Sequence, residues 1–385
     1  MDVKAVIDTR RKGEPEIALF IVSFILIGIG IAMSYSASAI FAERVFGDSL
    51  YFLKRQLVWC CLGFFIMMIV QHIDYRYYQH YTRIMLLFTM IALILVLIPG
   101  VGITVKGSSR WLGYGPLQFQ PAELVKLFVV IYFAKVFSYD NHREINVLQL
   151  LLPLLVVGIF FLLIMLQPDF GTAINLAIIS VVLLFVSGFP LIYMIGLALL
   201  SVPMFYLLIY QVEYRRQRIL AFFDPWSDRF GKGYHIIQSF IAFKLGGMLG
   251  AGLGSGTQKI KRLPEPHTDF IYAVIAEEAG LLGTFSILIL YLLFFYFGVK
   301  IALKAPDEYG RLLAMGLTLL ITVQAFLNIS VVIGLLPTTG IPLPFISYGG
   351  SSLLVNMMAT GILLNISKYR EVVPRDIKFD KEVLV

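Results

Sequence analysis

Charged residues are scarce in this chain. Asp, Glu, Lys and Arg make up 14% of its 385 residues, whereas hydrophobic residues make up 59%. A soluble globular domain carries roughly a quarter charged residues, so this balance excludes that class. The short alternating segments of a membrane β-barrel are also lacking, while apolar runs of about 20 residues, long enough to cross the hydrocarbon core as helices, recur along nearly the whole chain. The sequence therefore predicts an all-α integral membrane protein.

Cysteine is almost absent as well. Cys60 and Cys61 are adjacent inside an apolar run, which suits neither a structural disulfide nor a zinc site. The glycine-rich residues 246–256 follow no strand and end in no Gly-Lys-Ser/Thr, so they are not a nucleotide-binding fingerprint. Instead, their flexibility would let the backbone approach a ligand closely. No ligand cluster for a tightly held metal is visible in the sequence.

Polar turns divide the chain into about ten predicted transmembrane helices. Both termini are predicted to be cytoplasmic, with Arg11 and Lys12 holding the start of the first, uncleaved span inside. The predicted regions are a cytoplasmic segment 1–16, a membrane domain 17–366 and a cytoplasmic tail 367–385. The predicted spans lie near residues 17–36, 57–70, 84–99, from 120 onward, 147–166, 172–187, 191–210, 269–299, 312–335 and 353–366.

A large extracytoplasmic loop, residues 211–268, separates predicted spans seven and eight. From Glu213 to Thr268 it holds nine Lys and Arg against four Asp and Glu. Long loops escape the tendency of basic residues to stay inside. A positive surface that faces outward beside the membrane favours an anionic partner, and a lipid phosphate is the nearest candidate. The loop is predicted to be irregular, apart from an amphipathic stretch at residues 234–248 that could lie on the bilayer.

Asp269 stands where this basic loop turns into the apolar eighth span. Thr268 before it could cap the helix, so the simplest interpretation is a carboxylate that favours a helix start. The basic loop and Glu277, deeper on nearly the same face, favour a functional role instead. An ionised Asp beside cations can act as a general base. His267 is interpreted as a hydrogen-bonding neighbour, and Glu277 and Glu278 as supporting residues.

Several other residues have two interpretations each. Trp111 beside Arg110 could stack on a sugar ring, although an interfacial anchor is the simpler role for a Trp. Glu123 and Lys126 lie at i,i+3 and can pair, and such a pair either stabilises a span or marks a cavity. Asp169 could bind a ligand or satisfy backbone groups freed by the adjacent proline.

Residues 340–352 break helix geometry with two prolines and several glycines just before the last span. Non-helical backbone at membrane depth is tolerated only where protein or water covers it. The segment is therefore either a structural plug or a ligand contact.

Five motifs follow one another along the chain. They are Arg110-Trp-Leu112, Gln120-Pro-Ala-Glu-Leu-Val-Lys126, Gln167-Pro-Asp-Phe-Gly-Thr172, Leu263-Pro-Glu-Pro-His-Thr-Asp-Phe270 and Gly340-Ile-Pro-Leu-Pro-Phe-Ile-Ser-Tyr-Gly-Gly-Ser-Ser352. In this order they resemble the SEDS family (shape, elongation, division and sporulation), over roughly residues 15–370. The resemblance implies a ten-span peptidoglycan glycosyltransferase that polymerises lipid II on the outer face of the bacterial cytoplasmic membrane. The implied partners are lipid II, the membrane and a class B penicillin-binding transpeptidase, with no nucleic acid.

Four further motifs are Tyr35-Ser-Ala-Ser38, Phe52-Leu-Lys-Arg-Gln56, Asp74-Tyr-Arg76 and Asn328-Ile-Ser-Val-Val-Ile-Gly-Leu-Leu-Pro337. They resemble the division (FtsW-like) branch of that family more than the elongation (RodA-like) branch. This resemblance implies a place at the division septum and other division proteins as partners.

The resemblance also implies roles for single residues. Asp269 matches the family's essential acid and would take the proton from the 4-hydroxyl of the acceptor sugar in an inverting transfer, with undecaprenyl pyrophosphate leaving. No tightly bound cofactor is implied, and a divalent cation, Mg²⁺ or Mn²⁺, is left open as a helper. The predicted substrate-binding residues are Arg110, Trp111, Glu123, Lys126, Ser347 and Ser351, with Arg215, Arg216, Lys259 and Arg262 countering the charge on the pyrophosphate.

Three alternatives stay open at this point. A lipid II transporter would use Glu123, Lys126 and Asp169 as a pathway, whereas the position of Asp269 at the outer boundary favours a polymerase. A non-catalytic scaffold would recruit division proteins. An elongation-type polymerase would share the chemistry but act along the side wall.

Overall fold

The computed structural model describes residues 14–105, 107–115, 117–138, 147–257 and 266–369. The predicted Lys259 and Arg262 lie outside the described residues, as do residues 1–13 of the N-terminal segment and 370–385 of the tail. The helices are α1 Ile17–Phe46, α2 Tyr51–Val70, α3 Arg76–Leu97, α4 Pro121–Ser138, α5 Val147–Leu166, α6 Phe170–Val186, α7 Leu191–Tyr210, α8 Glu213–Phe223, α9 Tyr234–Gly246, α10 Ile271–Leu303, α11 Glu308–Val332 and α12 Gly350–Ser367.

The chain is a multi-pass, all-α membrane protein, as predicted. Seven described helices are long and apolar enough to cross a membrane: α1, α2, α3, α7, α10, α11 and α12. Helices α5 and α6 contain shorter apolar stretches, and α4 carries Glu123, Lys126 and Lys135. The count of ten spans, their sidedness and the boundaries of the cytoplasmic segments stay predictions.

Helices α11 and α12 form the centre of the bundle. Most of α11 and nearly all of α12 are buried, because α12 packs along α2 while α11 packs along α10 and α4. Helix α7 is the opposite case, since none of its described side chains is buried and it lies beside α6 and α8. Its apolar surface is therefore available to lipid.

Three short strands between residues 103 and 119 form a small antiparallel sheet, which the sequence analysis did not predict. Its strands are β1 Ile103–Val105, β2 Ser108–Tyr114 and β3 Leu117–Phe119, in the order β1-β2-β3. Strand β2 contacts α3 and α4, and β3 contacts α12. Strands of three residues leave too short an alternation of polar and apolar residues to be recognised. The sheet gives Arg110 and Trp111 a fixed backbone.

The region between α7 and α10 is less irregular than predicted, because a helix at Glu213–Phe223 accompanies the one in the predicted amphipathic stretch 234–248. Its described part contains two helices, α8 and α9. One face of α9 is buried at Ile236, Ile237 and Ala242, and α9 packs against α10. The Ser239 hydroxyl also donates to the Val332 carbonyl at the end of α11, at 2.6 Å. Helix α9 is thus a part of the protein core on one side.

The segment between α11 and α12 contacts α1 closely. Phe345 in this segment has a left-handed backbone, with φ of 65°, and its ring packs on Phe294 at 5.9 Å. Such a conformation persists only where its surroundings hold it. A Cβ added to Gly30 of α1 would lie 2.3 Å from the Phe345 carbonyl oxygen. Residue 30 must therefore be glycine for α1 to reach the segment.

We predict that Gly30→Ala destabilises the protein by about 1–3 kcal/mol, because the added methyl group meets fixed backbone. Gly28→Ala is the matched control on the same helix, since a Cβ there meets nothing within 4 Å; it should be neutral or stabilising by up to about 1 kcal/mol through helix propensity. Thermal unfolding of both variants in one detergent measures the difference. An unchanged melting temperature for Gly30→Ala would contradict the close approach.

Candidate functional site

A cavity of ≈ 390 Å³ lies among α2, α4, β2 and the segments that precede α10 and α12. Its wall is both aromatic and charged, with three carboxylates and two arginines. The lining residues are Phe46, Tyr51, Phe52, Arg55, Trp59, Arg110, Trp111, Gln118, Gln120, Glu123, Asp169, Thr172, Thr268, Asp269, Gly340, Pro342, Tyr348, Gly349, Gly350, Ser351 and Ser352.

Asp269 lines this cavity and is half-buried. Helix α10 begins at Ile271 with Phe270 at its N-cap, and its first turn contains no acidic residue. The prediction that Asp269 lies in the first turn of the helix behind a Thr268 cap is therefore wrong. The carboxylate instead precedes the helix and faces the cavity.

The main chain around Asp269 is held by the segment before α12. The Ser347 hydroxyl donates to the Thr268 carbonyl at 2.6 Å, and the Tyr348 N–H donates to the His267 carbonyl at 2.8 Å. Ser347, predicted to bind substrate, does not line the cavity and instead fixes the turn that carries Asp269. The buried His267 ring packs in an aromatic cluster, for example at 4.5 Å from the Phe52 ring between centroids.

Helix α10 is broken at Gly280, where φ is 67°. The break interrupts the helical hydrogen bonds on both sides, and the glycine-rich segment replaces them. The N–H groups of residues 251 and 252 donate to the carbonyls of 277 and 278, at 2.9 and 3.0 Å, and the N–H groups of 281 and 282 donate to residues 247 and 248. The segment predicted to approach a ligand thus approaches the protein's own helix, which covers the irregular backbone.

Two buried carboxylates hold the same segment in place. Glu277 accepts hydrogen bonds from the N–H and the hydroxyl of Thr257, at 2.7 and 2.9 Å. Glu278 accepts from the Gly254 N–H at 3.1 Å and from the Ser36 hydroxyl at 2.8 Å. Both Glu side chains therefore fasten the chain that leads into residues 258–265 and then Asp269.

Arg110 and Asp169, from different parts of the sequence, meet at the cavity wall. The Arg110 guanidinium lies 3.7 Å from the Asp169 carboxylate and donates to the carbonyls of residues 167 and 168. Asp169 also caps α6 by accepting from Thr172 and accepts from the Gln120 side chain at 2.8 Å. Asp169 thus satisfies backbone, as one of its two interpretations required, and it also lines the cavity.

The predicted pair of Glu123 and Lys126 is present, at 2.9 Å, but its two members differ in position. Glu123 lines the cavity, whereas Lys126 is buried behind it and donates to the Gln324 side chain at 2.7 Å. The interpretation of Lys126 as a residue that touches substrate is not supported by this position. The buried position of Lys126 likewise gives no support to a transport route that runs through both Glu123 and Lys126.

The two predicted cations on α8 do not line the cavity. Arg215 donates to the Leu208 carbonyl and stacks over the Phe170 ring at 5.0 Å, and Arg216 is exposed and pairs with Glu213 at 2.7 Å. The two side chains diverge because they lie on a helix, where consecutive residues point about 100° apart around the axis. The sequence analysis assumed an irregular loop in which both could turn toward one ligand.

Arg218, which was not predicted, is an α8 cation that reaches the segment before α12. Its guanidinium donates to the Thr338 carbonyl at 2.9 Å. Burial lowers the pKa of Arg218, while the neighbouring Tyr214 and Asp269 act to raise it.

Arg55 was also not predicted, because the sequence analysis placed the start of α2 too late. Helix α2 begins at Tyr51, six residues before the predicted start at residue 57. Residue 54 therefore points outward and pairs with Asp48 at 2.7 Å, while Arg55 lines the cavity with its guanidinium 4.6 Å from the Tyr51 ring centre. Burial raises the pKa of Tyr348 across the cavity, and the nearby Arg55 lowers it.

Trp111 and Ser351 line the cavity, as their predicted roles require. Ser351 accepts a hydrogen bond from the Gln120 N–H at 2.9 Å, so its hydroxyl also joins the start of α4 to α12. Among the described residues, no three His, Cys, Asp or Glu side chains come together as a metal site would require. The divalent cation stays a prediction.

The fold and this site define a multi-pass membrane protein that encloses a charged, aromatic cavity. The family model described as "Cell cycle protein", for FtsW, RodA and SpoVE, matches residues 17–372. A "Probable peptidoglycan glycosyltransferase FtsW" of Geobacter sulfurreducens is 44% identical over 355 residues, covering 91% of this chain and 95% of the relative. "Stage V sporulation protein E" of Bacillus subtilis is 41% identical, covering 94% of this chain and 99% of the relative. The chain belongs to the FtsW, RodA and SpoVE family, which confirms the SEDS resemblance.

Solved structures agree with this family. A structure described as "Structural coordination of polymerization and crosslinking by a peptidoglycan synthase complex" matches with a TM-score of 0.76 at 29% identity, covering 92% of this chain and 97% of that chain. The rod shape determining protein RodA of Thermus thermophilus matches with a TM-score of 0.67 at 27% identity, with the same coverage. FtsW and the sporulation protein thus share more residues with this chain than these structures do.

We predict that Glu278→Ala frees the glycine-rich segment from α10. The change removes a charged acceptor from the Gly254 N–H and the Ser36 hydroxyl, and hydrogen bonds to charged groups contribute about 1.5–3 kcal/mol. Amide hydrogen exchange at residues 251–257 should therefore accelerate by about tenfold or more. Glu43→Ala, at an exposed carboxylate of α1, is the control and should change nothing in this segment. Unaltered exchange in Glu278→Ala would show that the segment is held in another way.

Proposed function

We propose that the protein is a peptidoglycan glycosyltransferase that polymerises lipid II on the outer face of the cytoplasmic membrane. The observation that carries the proposal is the position of Asp269. Its carboxylate faces a cavity large enough for sugar rings, and the chain belongs to a family with relatives named as peptidoglycan glycosyltransferases.

Asp269 acts as the general base. It takes the proton from the 4-hydroxyl of the acceptor sugar, and that oxygen forms a bond to the anomeric carbon of the donor. The bond between the anomeric carbon and the pyrophosphate breaks at the same time, and undecaprenyl pyrophosphate leaves with the electron pair. The configuration at the anomeric carbon inverts once per transfer.

The aromatic wall positions the sugars for this step. Trp59 and Trp111 line the cavity together with Tyr51 and Tyr348. Flat aromatic faces bury the apolar faces of a sugar ring, while the hydroxyl groups of the ring reach polar neighbours. Trp111 thus acts as the stacking platform predicted from the sequence, with its backbone fixed by the sheet.

Arg55 is the cation that we assign to the leaving pyrophosphate. It lines the cavity directly, whereas Arg215 and Arg216 are directed elsewhere. A guanidinium can donate two parallel hydrogen bonds to a phosphate. Arg110 is already bound to Asp169 and to two carbonyls, so it contributes less charge to a ligand.

The proposed partner is a membrane-anchored class B penicillin-binding transpeptidase that cross-links the new glycan strand at the division septum. The related synthase complex combines polymerization with crosslinking, and the relatives named FtsW support the division branch over the elongation branch. A divalent cation would act at the pyrophosphate.

Asp269→Asn should abolish the formation of glycan polymer from lipid II by the purified protein, both alone and with its transpeptidase partner. Removing a general base typically costs about 10²–10⁴-fold in rate. Glu213→Gln, which changes an exposed acid outside the cavity, is the control and should polymerise normally. Normal polymer from folded Asp269→Asn would refute the general-base role, and Asp269-independent movement of labelled lipid across vesicles would support a transporter.

Arg55→Gln should lower kcat/KM for lipid II by about 10- to 100-fold, because charge-assisted hydrogen bonds contribute about 1.5–3 kcal/mol. Arg55→Lys should recover a part of the loss. Arg216→Gln is the matched control, since that guanidinium pairs with Glu213 outside the cavity. If Arg216→Gln impaired the reaction as much as Arg55→Gln, the assignment of the pyrophosphate contact would be wrong.

A further inference from the structure

Helix α11 carries two buried amides that the proposed mechanism does not use. Gln324 and Asn328 are four residues apart, which places them on one face of the helix. Their side chains are 1% and 2% exposed in a helix whose buried residues are mostly apolar. A buried polar group in a membrane-spanning helix is costly, so its presence favours a function.

Gln324 joins three separate elements through one side chain. Its Oε1 accepts from the Lys126 Nζ at 2.7 Å and from the Asn175 Nδ2 at 3.0 Å. Its Nε2 donates to the Pro342 carbonyl at 3.0 Å. The pair of Lys126 and Glu123 is thereby linked to the backbone of a residue that lines the cavity.

Asn328 makes the corresponding link to the general base. Its Nδ2 donates to the Asp269 carbonyl at 2.9 Å and to the Ile341 carbonyl at 2.7 Å. Because one amino group binds both carbonyls, it sets the spacing between the two chain segments. The segments are close at the reacting carboxylate too, since a Cβ added to Gly340 would lie 3.5 Å from Asp269 Oδ2.

We propose that Gln324 and Asn328 are positioning residues that hold Asp269 against the cavity edge formed by residues 340–342, and that Lys126 acts through Gln324 instead of on the substrate. The proposal rests on the function proposed above for Asp269. Residues 340–352 were interpreted as either a structural plug or a ligand contact. Under this proposal both apply, because the segment is held in place by the amides and its backbone lines the cavity.

The physical reason is the steep dependence of proton transfer on geometry. Loss of either amide removes a buried donor from the carbonyl groups of residues 269, 341 or 342, so the two segments lose hydrogen bonds that hold them together. A shift of about 1 Å at a reacting group can cost about 100-fold in rate. Contacts between the substrate and the aromatic wall do not involve these amides, so binding should change much less than turnover.

The first test compares Asn328→Leu and Gln324→Leu with Thr322→Val. Thr322 is buried on the same helix and donates to the Thr318 carbonyl within it. We expect both amide variants to lower kcat by about 10- to 100-fold with KM for lipid II within about twofold, and Thr322→Val to match the wild type. Asn328→Gln, which keeps an amide donor, should recover part of the rate; it is also the variant to use where Asn328→Leu folds poorly.

A double-mutant cycle tests the role of Lys126. If Lys126 acts through Gln324, the double variant Lys126→Met, Gln324→Leu should lose no more activity than the more damaging single variant, because coupled residues are not additive. If Lys126 contacts substrate independently, the two losses should multiply, and that result would overturn this part of the proposal.

Asp269→Asn, assayed with these variants, distinguishes a failure of the proposed function from a failure of the positioning role. A polymerising Asp269→Asn protein would refute the proposed function itself. An inactive Asp269→Asn protein together with wild-type kcat in Asn328→Leu and Gln324→Leu would refute the positioning role alone. A rise in KM without a fall in kcat would also refute it, since it would indicate that the amides serve substrate binding.

Discussion

Main-chain N–H and C=O groups need partners wherever the backbone leaves the helical form inside a buried, apolar bundle, and the structure around the cavity follows from this requirement. At Gly280 the partners come from the glycine-rich segment and its two Glu anchors. Before α12 they come from Gln324, Asn328 and Ser347. At the turn between α5 and α6 they come from Arg110. Each irregular segment is thus tied to a neighbour by specific polar side chains.

These irregular segments are also where the chemistry lies. A straight helix presents its polar groups only to itself, whereas a broken one can bring a carboxylate and several carbonyls to one cavity. Asp269, Asp169 and Gly340 all stand at such breaks. The charges in the cavity are arranged in the same way, because Glu123 and Asp169 each have a cation beside them that limits repulsion near Asp269.

Much of this arrangement could be predicted from the sequence. Hydropathy identified α5, α6, α7, α10, α11 and α12 to within four residues at each end, whereas α1, α2 and α3 extend six to ten residues beyond their predicted bounds. The motifs identified five residues that all line the cavity, namely Asp269, Arg110, Trp111, Glu123 and Ser351. These predictions succeeded because long apolar runs and unusual polar residues inside them are local signals.

The other parts of the site could not be predicted, because they depend on where each helix starts, which sets the direction of its side chains, and on contacts between residues far apart in the sequence. An error of six residues at the start of α2 hid Arg55, and the unrecognised helix α8 misdirected Arg215 and Arg216. Gln324 and Asn328 did carry a signal, since buried amides four residues apart in an apolar span are unusual. Their partners at residues 126, 269, 341 and 342 could not be deduced without the fold.

A structure of the protein with lipid II and an uncleavable pyrophosphate analogue as donor would test the central claim most directly. The quantity to measure is the distance between the Asp269 carboxylate and the 4-hydroxyl oxygen of the acceptor sugar. The account predicts hydrogen-bond contact, about 2.6–3.2 Å, with the anomeric carbon of the donor on the other side of that oxygen. An acceptor hydroxyl that lies against a different residue, with Asp269 facing away from both sugars, would contradict it.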